Sequence, residues 1–222
     1  MTAPAGLLLI WTDVTEDAEA DFNVWYDRQH LAERVGVPGI LNGKRYAAIE
    51  GAPKYFAWYE TGTAAVLGSA AYGARQANPT DWTQRVMPAF RNVVRVTAEQ
   101  VAKAGSGLGA AALTIRVRPE LGREDTLRAA LADLPAELAD RPGVVAVQSW
   151  RPSDADAAQG TTEAAMRAEH EQPPAWGLLI EATTPEAAAE AAEGLGTELM
   201  EAADADVDAG VYRLLLARGE IT

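Results

Sequence analysis

The stretch GLLLIWTDVTEDAEADFNVWYDRQHLAERVGVPGILNGKRYAAIE, residues 6–50, indicates the type of fold. It opens with the apolar run GLLLIWTDV, which is typical of a buried strand. A helix is predicted from an N-cap at Thr15 to about Arg34. The Pro38-Gly39 pair then marks a turn before a second strand. A strand, a helix and a strand in this order predict an α+β domain.

The next fifty residues complete one structural unit. Gly51-Ala52-Pro53 predicts a hairpin between the second strand and a third over residues 54–61. An alanine-rich helix is predicted over residues 63–76, a short helix from Thr80, and a last strand over residues 91–97. The order is therefore β-α-β-β-α-β, which is the ferredoxin-like plan.

The same pattern begins again after residues 103–109, whose composition is that of a flexible linker. The predicted elements of the second half are strands over 111–118, 144–150, 176–183 and 210–218, helices over 123–140 and 185–202, and a second Pro-Gly turn at 142–143. Residues 152–174 form an insertion that we expect to be a loop or a short helix.

The sequence thus predicts two tandem ferredoxin-like units in one chain, related by duplication. Residues 1–102 form the first unit and contain the expected active site, residues 103–109 are the linker, and residues 110–222 form a second unit with a structural role. Each unit leaves one sheet face uncovered, and pairing the two sheets would bury both faces. Whether this closure occurs within the chain or across a homodimer stays open.

The composition excludes several classes of protein. The 222 residues include no cysteine and two histidines, which excludes disulfide scaffolds, thiolate metal sites and cysteine nucleophiles. The formal charge of −13 argues against nucleic acid as a partner. No segment has the pattern of a signal peptide or a membrane span, so we expect a cytoplasmic protein without a membrane partner. The abundance of alanine suggests a bacterial source.

Two side chains of the first helix are the best candidates for catalysis. Helical spacing places Phe22, Trp25 and Tyr26 on the face toward the sheet, with His30 one turn after Tyr26. The ordinary pKa of an imidazole is about 6.5, so His30 could act as a general acid–base near neutral pH. Tyr26 or Tyr59 could donate a hydrogen bond to a carbonyl or enolate oxygen. The alternative is a partly buried, structural histidine.

Arg45 completes the predicted catalytic set, as a group that stabilises an anionic oxygen or holds a carboxylate. The alternative is a surface ion pair. Aromatic residues are concentrated in the first half, which predicts an apolar pocket there. The candidate lining residues are Trp11, Phe22, Trp25, Tyr59, Tyr72 and Trp82, and the alternative for each is a place in the core.

No metal site is predicted. His170 lies between Glu169 and Glu171, but adjacent residues on a helix diverge, so they make a poor ligand set. Phosphate-binding loops and the motifs H-E-x-x-H and G-x-S-x-G do not occur in the sequence.

The first half carries W-Y-D-x-x-H, then P-G, then R-Y, and this order resembles the EthD-like branch of the dimeric α/β-barrel superfamily. The matching residues are Trp25, Tyr26, Asp27, His30, Pro38, Gly39, Arg45 and Tyr46. The resemblance covers residues 6–98, and the second half matches only in its fold. It implies a dimeric α/β-barrel-type arrangement with a pocket between helices and sheet. The superfamily includes cofactor-free monooxygenases, polyketide cyclases, muconolactone-type isomerases and haem-binding enzymes.

The leading hypothesis is an enzyme without a cofactor that acts on a small apolar, aromatic or polyketide-like carbonyl compound. Its reaction would be proton transfer next to the carbonyl, as in an isomerase, a cyclase or a lyase. Three alternatives stay open: a cofactor-free monooxygenase, a haem-binding protein with His30 as the ligand, and a non-catalytic binding or assembly protein.

Overall fold

The computed structural model describes residues 5–153, 162–168 and 170–220. Strands and helices alternate as predicted in both halves of the chain. The strands are β1 (Gly6–Val14), β2 (Ile40–Gly51), β3 (Tyr55–Thr61), β4 (Phe90–Gly105), β5 (Ala111–Val117), β6 (Val144–Pro152), β7 (Trp176–Ala182) and β8 (Val207–Gly219). The helices are α1 (Glu19–Trp25), α2 (Leu31–Val35), α3 (Ala70–Ala77), α4 (Asp81–Val86), α5 (Glu124–Leu138), α6 (Thr162–Ala165), α7 (Pro185–Ala191) and α8 (Leu195–Ala203), with a π turn (Tyr26–His30) between α1 and α2.

The eight strands form a closed antiparallel barrel in the order β1-β3-β2-β8-β5-β7-β6-β4. Each half contributes four neighbouring strands, in the order β4-β1-β3-β2 in the first half and β8-β5-β7-β6 in the second. Two seams join the halves, where β2 pairs with β8 and β4 pairs with β6. The predicted fold of two ferredoxin-like units is confirmed, and the barrel closes within one chain.

Both faces of the sheet are buried. On the outer face of β1, Leu8 and Ile10 pack beneath the helices of the first unit. On the inner face, Leu7, Leu9 and Trp11 belong to an apolar cluster inside the barrel. The helices of the second unit cover a third cluster. The barrel interior therefore takes the place of the partner chain that an isolated four-stranded sheet would need.

The two Pro-Gly turns have the same conformation in the two halves. Gly39 and Gly143 both adopt positive φ, at 92° and 79°, which favours glycine. A Cβ atom on Gly39 would lie 2.7 Å from the side chain of Val66, and one on Gly143 would lie 2.6 Å from the Cβ of Ala187. In each unit, the glycine thus allows the segment that follows the third strand to pack directly against the Pro-Gly turn.

The barrel interior also contains a buried ion pair between the halves. The Lys44 Nζ lies 2.7 Å from the Glu181 carboxylate, and both side chains are less than 5% exposed. Tyr46 donates a hydrogen bond of 3.0 Å to the same carboxylate. The Lys44 ammonium also lies 4.7 Å from the ring centroid of Trp58. These contacts fix β2 of the first unit against β7 of the second.

Three element boundaries differ from the sequence-based prediction. The strand expected over residues 91–97 runs from Phe90 to Gly105, through the first part of the expected linker, because its C-terminal half pairs with β6. The helix expected over residues 63–76 begins as a 3₁₀ turn and becomes regular only at Ala70. The helix expected over residues 185–202 is divided near Gly194, which adopts a positive φ of 84°.

Candidate active site

A small cavity lies between the helices and the outer sheet face of the first unit. Its volume is about 30 Å³, which is room for about two water molecules. Apolar side chains form its base, whereas tyrosines, a histidine, arginines and a glutamate form the rest. The lining residues are Leu8, Ile10, Tyr26, His30, Arg34, Tyr59, Tyr72, Gln76, Met87, Phe90, Arg95, Glu163 and Arg167.

The π turn determines the position of His30. This turn contains an extra residue, so Trp25 and His30, which are five residues apart, stack with ring centroids 4.1 Å apart. The Tyr26 ring meets the imidazole edge-on at 4.9 Å. His30 is 8% exposed, and no hydrogen bond joins its ring nitrogens to any residue that the structure describes. The imidazole is held by contacts with these two rings.

The surroundings of His30 favour the neutral imidazole. Burial, followed by the charges of Arg34, Arg75, Arg167 and Arg45, holds the pKa of His30 well below its ordinary value of 6.5. The ring is therefore uncharged at neutral pH and can accept a proton. The same arginines would stabilise an anion formed beside it.

Two tyrosine hydroxyl groups lie together in the cavity wall. The Tyr26 and Tyr59 oxygens are 3.2 Å apart and share a hydrogen bond. Burial raises the pKa of Tyr26 and raises that of Tyr59 well above the ordinary value of 10. Both groups keep their protons at neutral pH, so they can act as hydrogen-bond donors to a substrate oxygen.

The charged side of the cavity combines residues from both units. Arg34, one turn after His30, forms a buried ion pair with Glu163 of α6. Arg167, in the same segment as Glu163, pairs with Glu171. Burial and the nearby charge of Arg95 lower the pKa of Arg167 to about 10, so the guanidinium is charged at neutral pH.

The connection between β6 and β7 brings α6 to this position. Before α6, Ser153 donates a backbone hydrogen bond of 2.8 Å to Thr97 of β4. After α6, Gln172 donates one of 2.8 Å to Val93 of the same strand. The connection thus leaves and rejoins the edge of the first unit, and part of the predicted insertion forms a wall of the cavity. Residues 154–161 and 169 of that insertion lie outside the described residues.

The structure brings together four of the predicted site residues, Tyr26, His30, Tyr59 and Tyr72, around the cavity. Trp25 and Phe22 lie in the core beside them, where Trp25 supports the imidazole.

Three other candidates lie apart from the cavity. Trp11 points into the barrel, where its ring stacks on Phe56 at 4.7 Å. Trp82 packs at the edge of the helical layer and donates a hydrogen bond of 2.9 Å to Asp21. The third candidate is Arg45.

Arg45 is buried, but it borders a separate void of about 10 Å³. Its guanidinium forms an ion pair with Asp27 and a hydrogen bond to Asn23. It also lies 4.7 Å from the ring centroid of Tyr26. Arg45 thus joins β2 to the residues around the π turn and supports the ring of Tyr26.

The sequence analysis did not identify the four charged residues of the cavity as site residues. They are Arg34, Arg95, Glu163 and Arg167. Arg34 could have been found, because it follows His30 by four residues on the same helical run. Glu163 and Arg167 lie about 130 residues away in the chain, and no local pattern connects them with His30.

The corresponding position of the second unit is an apolar groove of about 310 Å³. Leu113 and Ile115 of β5, alanines of α7 and its following turn, and residues of β8 line it, with Glu50 as the ionisable member of the lining. It is larger than the cavity of the first unit, and Glu50 is the one ionisable side chain among the described residues of its lining. The apolar pocket that the aromatic residues predicted for the first half is therefore not the cavity found there, which is small and has several charged side chains in its wall.

The described residues contain neither a metal-binding cluster nor a helix that could span a membrane. No group of three or more His, Asp or Glu side chains is placed to hold a metal ion there, and His170 is exposed. None of the helices in that part of the chain has both the length and the apolar character needed to cross a bilayer.

Comparison with known proteins relates this chain to solved structures by its fold. An anthrone oxidase-like protein superposes with a TM-score of 0.65 and 11% identity, covering 97% of this chain and 93% of that chain. A candidate monooxygenase from Fusobacterium nucleatum gives 0.63 and 10%, covering 100% and 97%. A candidate monooxygenase from Lactobacillus acidophilus gives 0.62 and 10%, covering 97% and 96%. No family model and no curated protein matches the chain. The chain therefore has a dimeric α/β-barrel-type fold, in common with monooxygenase-like proteins.

Proposed function

We propose that the cavity beside His30 is the active site of a cofactor-free enzyme that deprotonates a small aromatic or polyketide-like carbonyl compound and oxygenates it with O₂. One observation carries the proposal: a buried histidine, whose ring nitrogens have no hydrogen-bond partner among the described residues, faces a cavity whose wall contains three arginines. The lowered pKa keeps the imidazole unprotonated, so it can accept a proton, and the arginines can stabilise the anion that results.

The first step uses residues of this chain alone. The unprotonated nitrogen of His30 takes a proton from the C–H bond next to the carbonyl, and the electron pair of that bond moves into an enolate. The arginines and the Tyr26 and Tyr59 hydroxyl groups stabilise the enolate oxygen. Removing such a base typically lowers the rate about 10²–10⁴-fold.

The second step requires O₂ as co-reactant. The enolate carbon forms a bond to oxygen, O₂ is reduced by two electrons, and the proton held by His30 completes a hydroperoxide. For a CH₂ carbon, loss of water then leaves a new carbonyl group. The monooxygenase-like and anthrone oxidase-like neighbours support this outcome over isomerisation.

Isomerisation or cyclisation is the second candidate function, and His30 itself favours it. A base that accepts a proton can return that proton to a different carbon of the same substrate, with no oxidant required. The first step is shared, so the two functions differ only in the fate of the enolate.

A haem does not fit the residues around His30. The imidazole stacks on Trp25 and meets Tyr26 edge-on, and the wall beside it has four charged side chains. These residues do not form the wide apolar slot that a macrocycle fills.

A substrate larger than water must displace part of the cavity wall. Backbone hydrogen bonds to β4 hold the connection at Ser153 and Gln172, and the Arg34–Glu163 pair joins the segment between them to the first unit. We expect residues 162–168, which contain Glu163 and Arg167, to be the part of the wall that moves. The base of the cavity consists of strand residues, which stay in place.

The test is oxygen uptake with anthrone, an enolisable aromatic ketone. We expect the wild type to consume one O₂ per ketone, and His30→Gln to lose about 10²–10⁴-fold in rate while it stays folded. His170→Gln is the matched control, because it removes the other histidine from an exposed position. Product formed at the same rate without O₂ would identify the isomerase-type reaction instead. Full turnover by His30→Gln would remove His30 from the mechanism.

A further inference from the structure

The Arg34–Glu163 pair is a carboxylate-binding arrangement inside the cavity. The two side chains are each 5% exposed and lie 129 residues apart in the chain. Glu163 occupies only one of the terminal nitrogens of Arg34. The other, Nη1, is buried and has no hydrogen-bond partner among the residues that the structure describes. A guanidinium that can bind a carboxylate with two parallel bonds thus makes one bond to a protein group.

The buried position of this pair also favours an anionic ligand. Arg34 is paired with Glu163 and Arg167 with Glu171, so each of these guanidinium groups has a carboxylate beside it. A neutral ligand such as anthrone that displaced Glu163 would separate Arg34 from its carboxylate, so it should bind more weakly than a ligand with a carboxylate of its own. A ligand that brings its own carboxylate avoids this separation.

We infer that Glu163 occupies the place of a substrate carboxylate, and that the substrates of this enzyme are aromatic carboxylates bound through Arg34. The inference rests on the proposal that the cavity is the active site. In this arrangement the substrate carboxylate takes both terminal nitrogens of Arg34, which satisfies Nη1, and Glu163 moves out with α6. The aromatic part of the substrate then lies among the side chains around His30, where the C–H bond next to its carbonyl group can meet the base.

Binding of benzoate and of its neutral counterpart, benzamide, tests the inference by calorimetry. Glu163→Gln removes the competing carboxylate, so benzoate should bind about 10- to 100-fold more tightly than to the wild type, the range of a charged hydrogen bond. The affinity for benzamide should stay the same. Glu163→Ala should reproduce the gain, which guards against an effect of the glutamine itself.

Two further variants show that the gain is local to the cavity. Glu99→Gln is the matched control, since Glu99 forms an ion pair with Arg151 outside the cavity, and it should leave benzoate binding unchanged. Arg34→Lys, combined with Glu163→Gln, should abolish most of the gain, because an ammonium cannot bind a carboxylate with two parallel bonds. Circular dichroism checks that each variant is folded.

The inference is overturned if folded Glu163→Gln and Glu163→Ala bind benzoate no better than the wild type, or if benzamide gains as much as benzoate. Failure of the proposed function would look different. His30→Gln in the Glu163→Gln background should still bind benzoate, because Arg34 is intact. Benzoate binding together with full turnover by His30→Gln would therefore support the carboxylate site and reject the catalytic base.

Discussion

Replacing His30 by glutamine should remove a pH dependence of stability that the burial of this side chain creates. In the native protein the pKa of His30 lies well below 6.5, whereas in the unfolded chain the imidazole takes a proton as the pH falls through 6.5. The unfolded state then binds more protons than the native state, so the native state loses stability as the pH falls below 6.5. The pH window extends downward from 6.5 to the native-state pKa.

The size of the effect follows from one proton. Below pH 6.5 the loss approaches about 1.4 kcal/mol per pH unit. Between pH 7.5 and pH 5.5 the wild type should therefore lose up to about 1.4 kcal/mol relative to His30→Gln, which is the limit set by one proton bound to the unfolded chain. The measurement is the free energy of unfolding in urea at half-unit steps of pH, for both proteins. No substrate is needed, so the experiment does not depend on the reaction.

The difference between the two curves isolates His30, because the carboxylates that titrate at lower pH are common to both proteins. His170→Gln serves as the control, since it removes an imidazole from an exposed position rather than from the cavity. Parallel curves for the wild type and His30→Gln would mean that His30 binds its proton equally well in the native and unfolded states. The argument that it is a buried neutral base would then be wrong.

Two further predictions concern the fold. Lys44→Met should destabilise the protein by about 3–5 kcal/mol in urea unfolding, because it leaves the Glu181 carboxylate buried without its partner. The double variant that also carries Glu181→Leu should recover most of this lost stability. Gly39→Ala should destabilise the protein by more than about 1 kcal/mol, because φ is 92° there and the new Cβ would meet Val66. Gly73→Ala in α3 should stabilise it by about 0.5–1 kcal/mol, because no atom lies within 4 Å of the new Cβ. Equal melting temperatures for the two alanine variants, or no recovery in the double variant, would contradict these expectations.

The order of the elements could be predicted because local signals mark it. The apolar run of β1, the stripe of leucines in α5 and the two Pro-Gly turns are all readable within a few residues. The length of β4 could not be predicted in this way. Its second half has the sequence of a linker, and it is a strand because β6 of the other unit pairs with it. Tertiary pairing overrides weak local preference there.

The faces of the strands posed a different problem. Alternation identifies the inside of a sheet when one face meets water, but here the outer face meets helices and the inner face meets the barrel core. Trp11 and Leu8 are both fully or almost fully buried, on opposite faces of β1. Aromatic content alone therefore could not separate the residues that line the cavity from those inside the barrel.

The candidate site could be predicted where it depends on one helix. Helical spacing brought Tyr26 and His30 together, and the structure places both in the cavity wall. The spacing could not predict the stacking of His30 on Trp25, because an ideal helix places residues five apart on different faces and the π turn brings them together. Arg45 was expected beside the substrate, yet its ion pair with Asp27 directs it to the support of Tyr26.

The closure of the barrel within one chain explains how the second unit can serve the site of the first. In the first unit β2 and β3 are joined by a short hairpin, whereas in the second unit the equivalent connection, between β6 and β7, is long and contains α6. Because β6 pairs with β4, this connection lies over the cavity of the first unit and delivers Glu163 and Arg167 to it. Two identical chains would have to extend both connections or neither. A single chain can extend one of them, so that one unit supplies the base and the other supplies part of the wall around it.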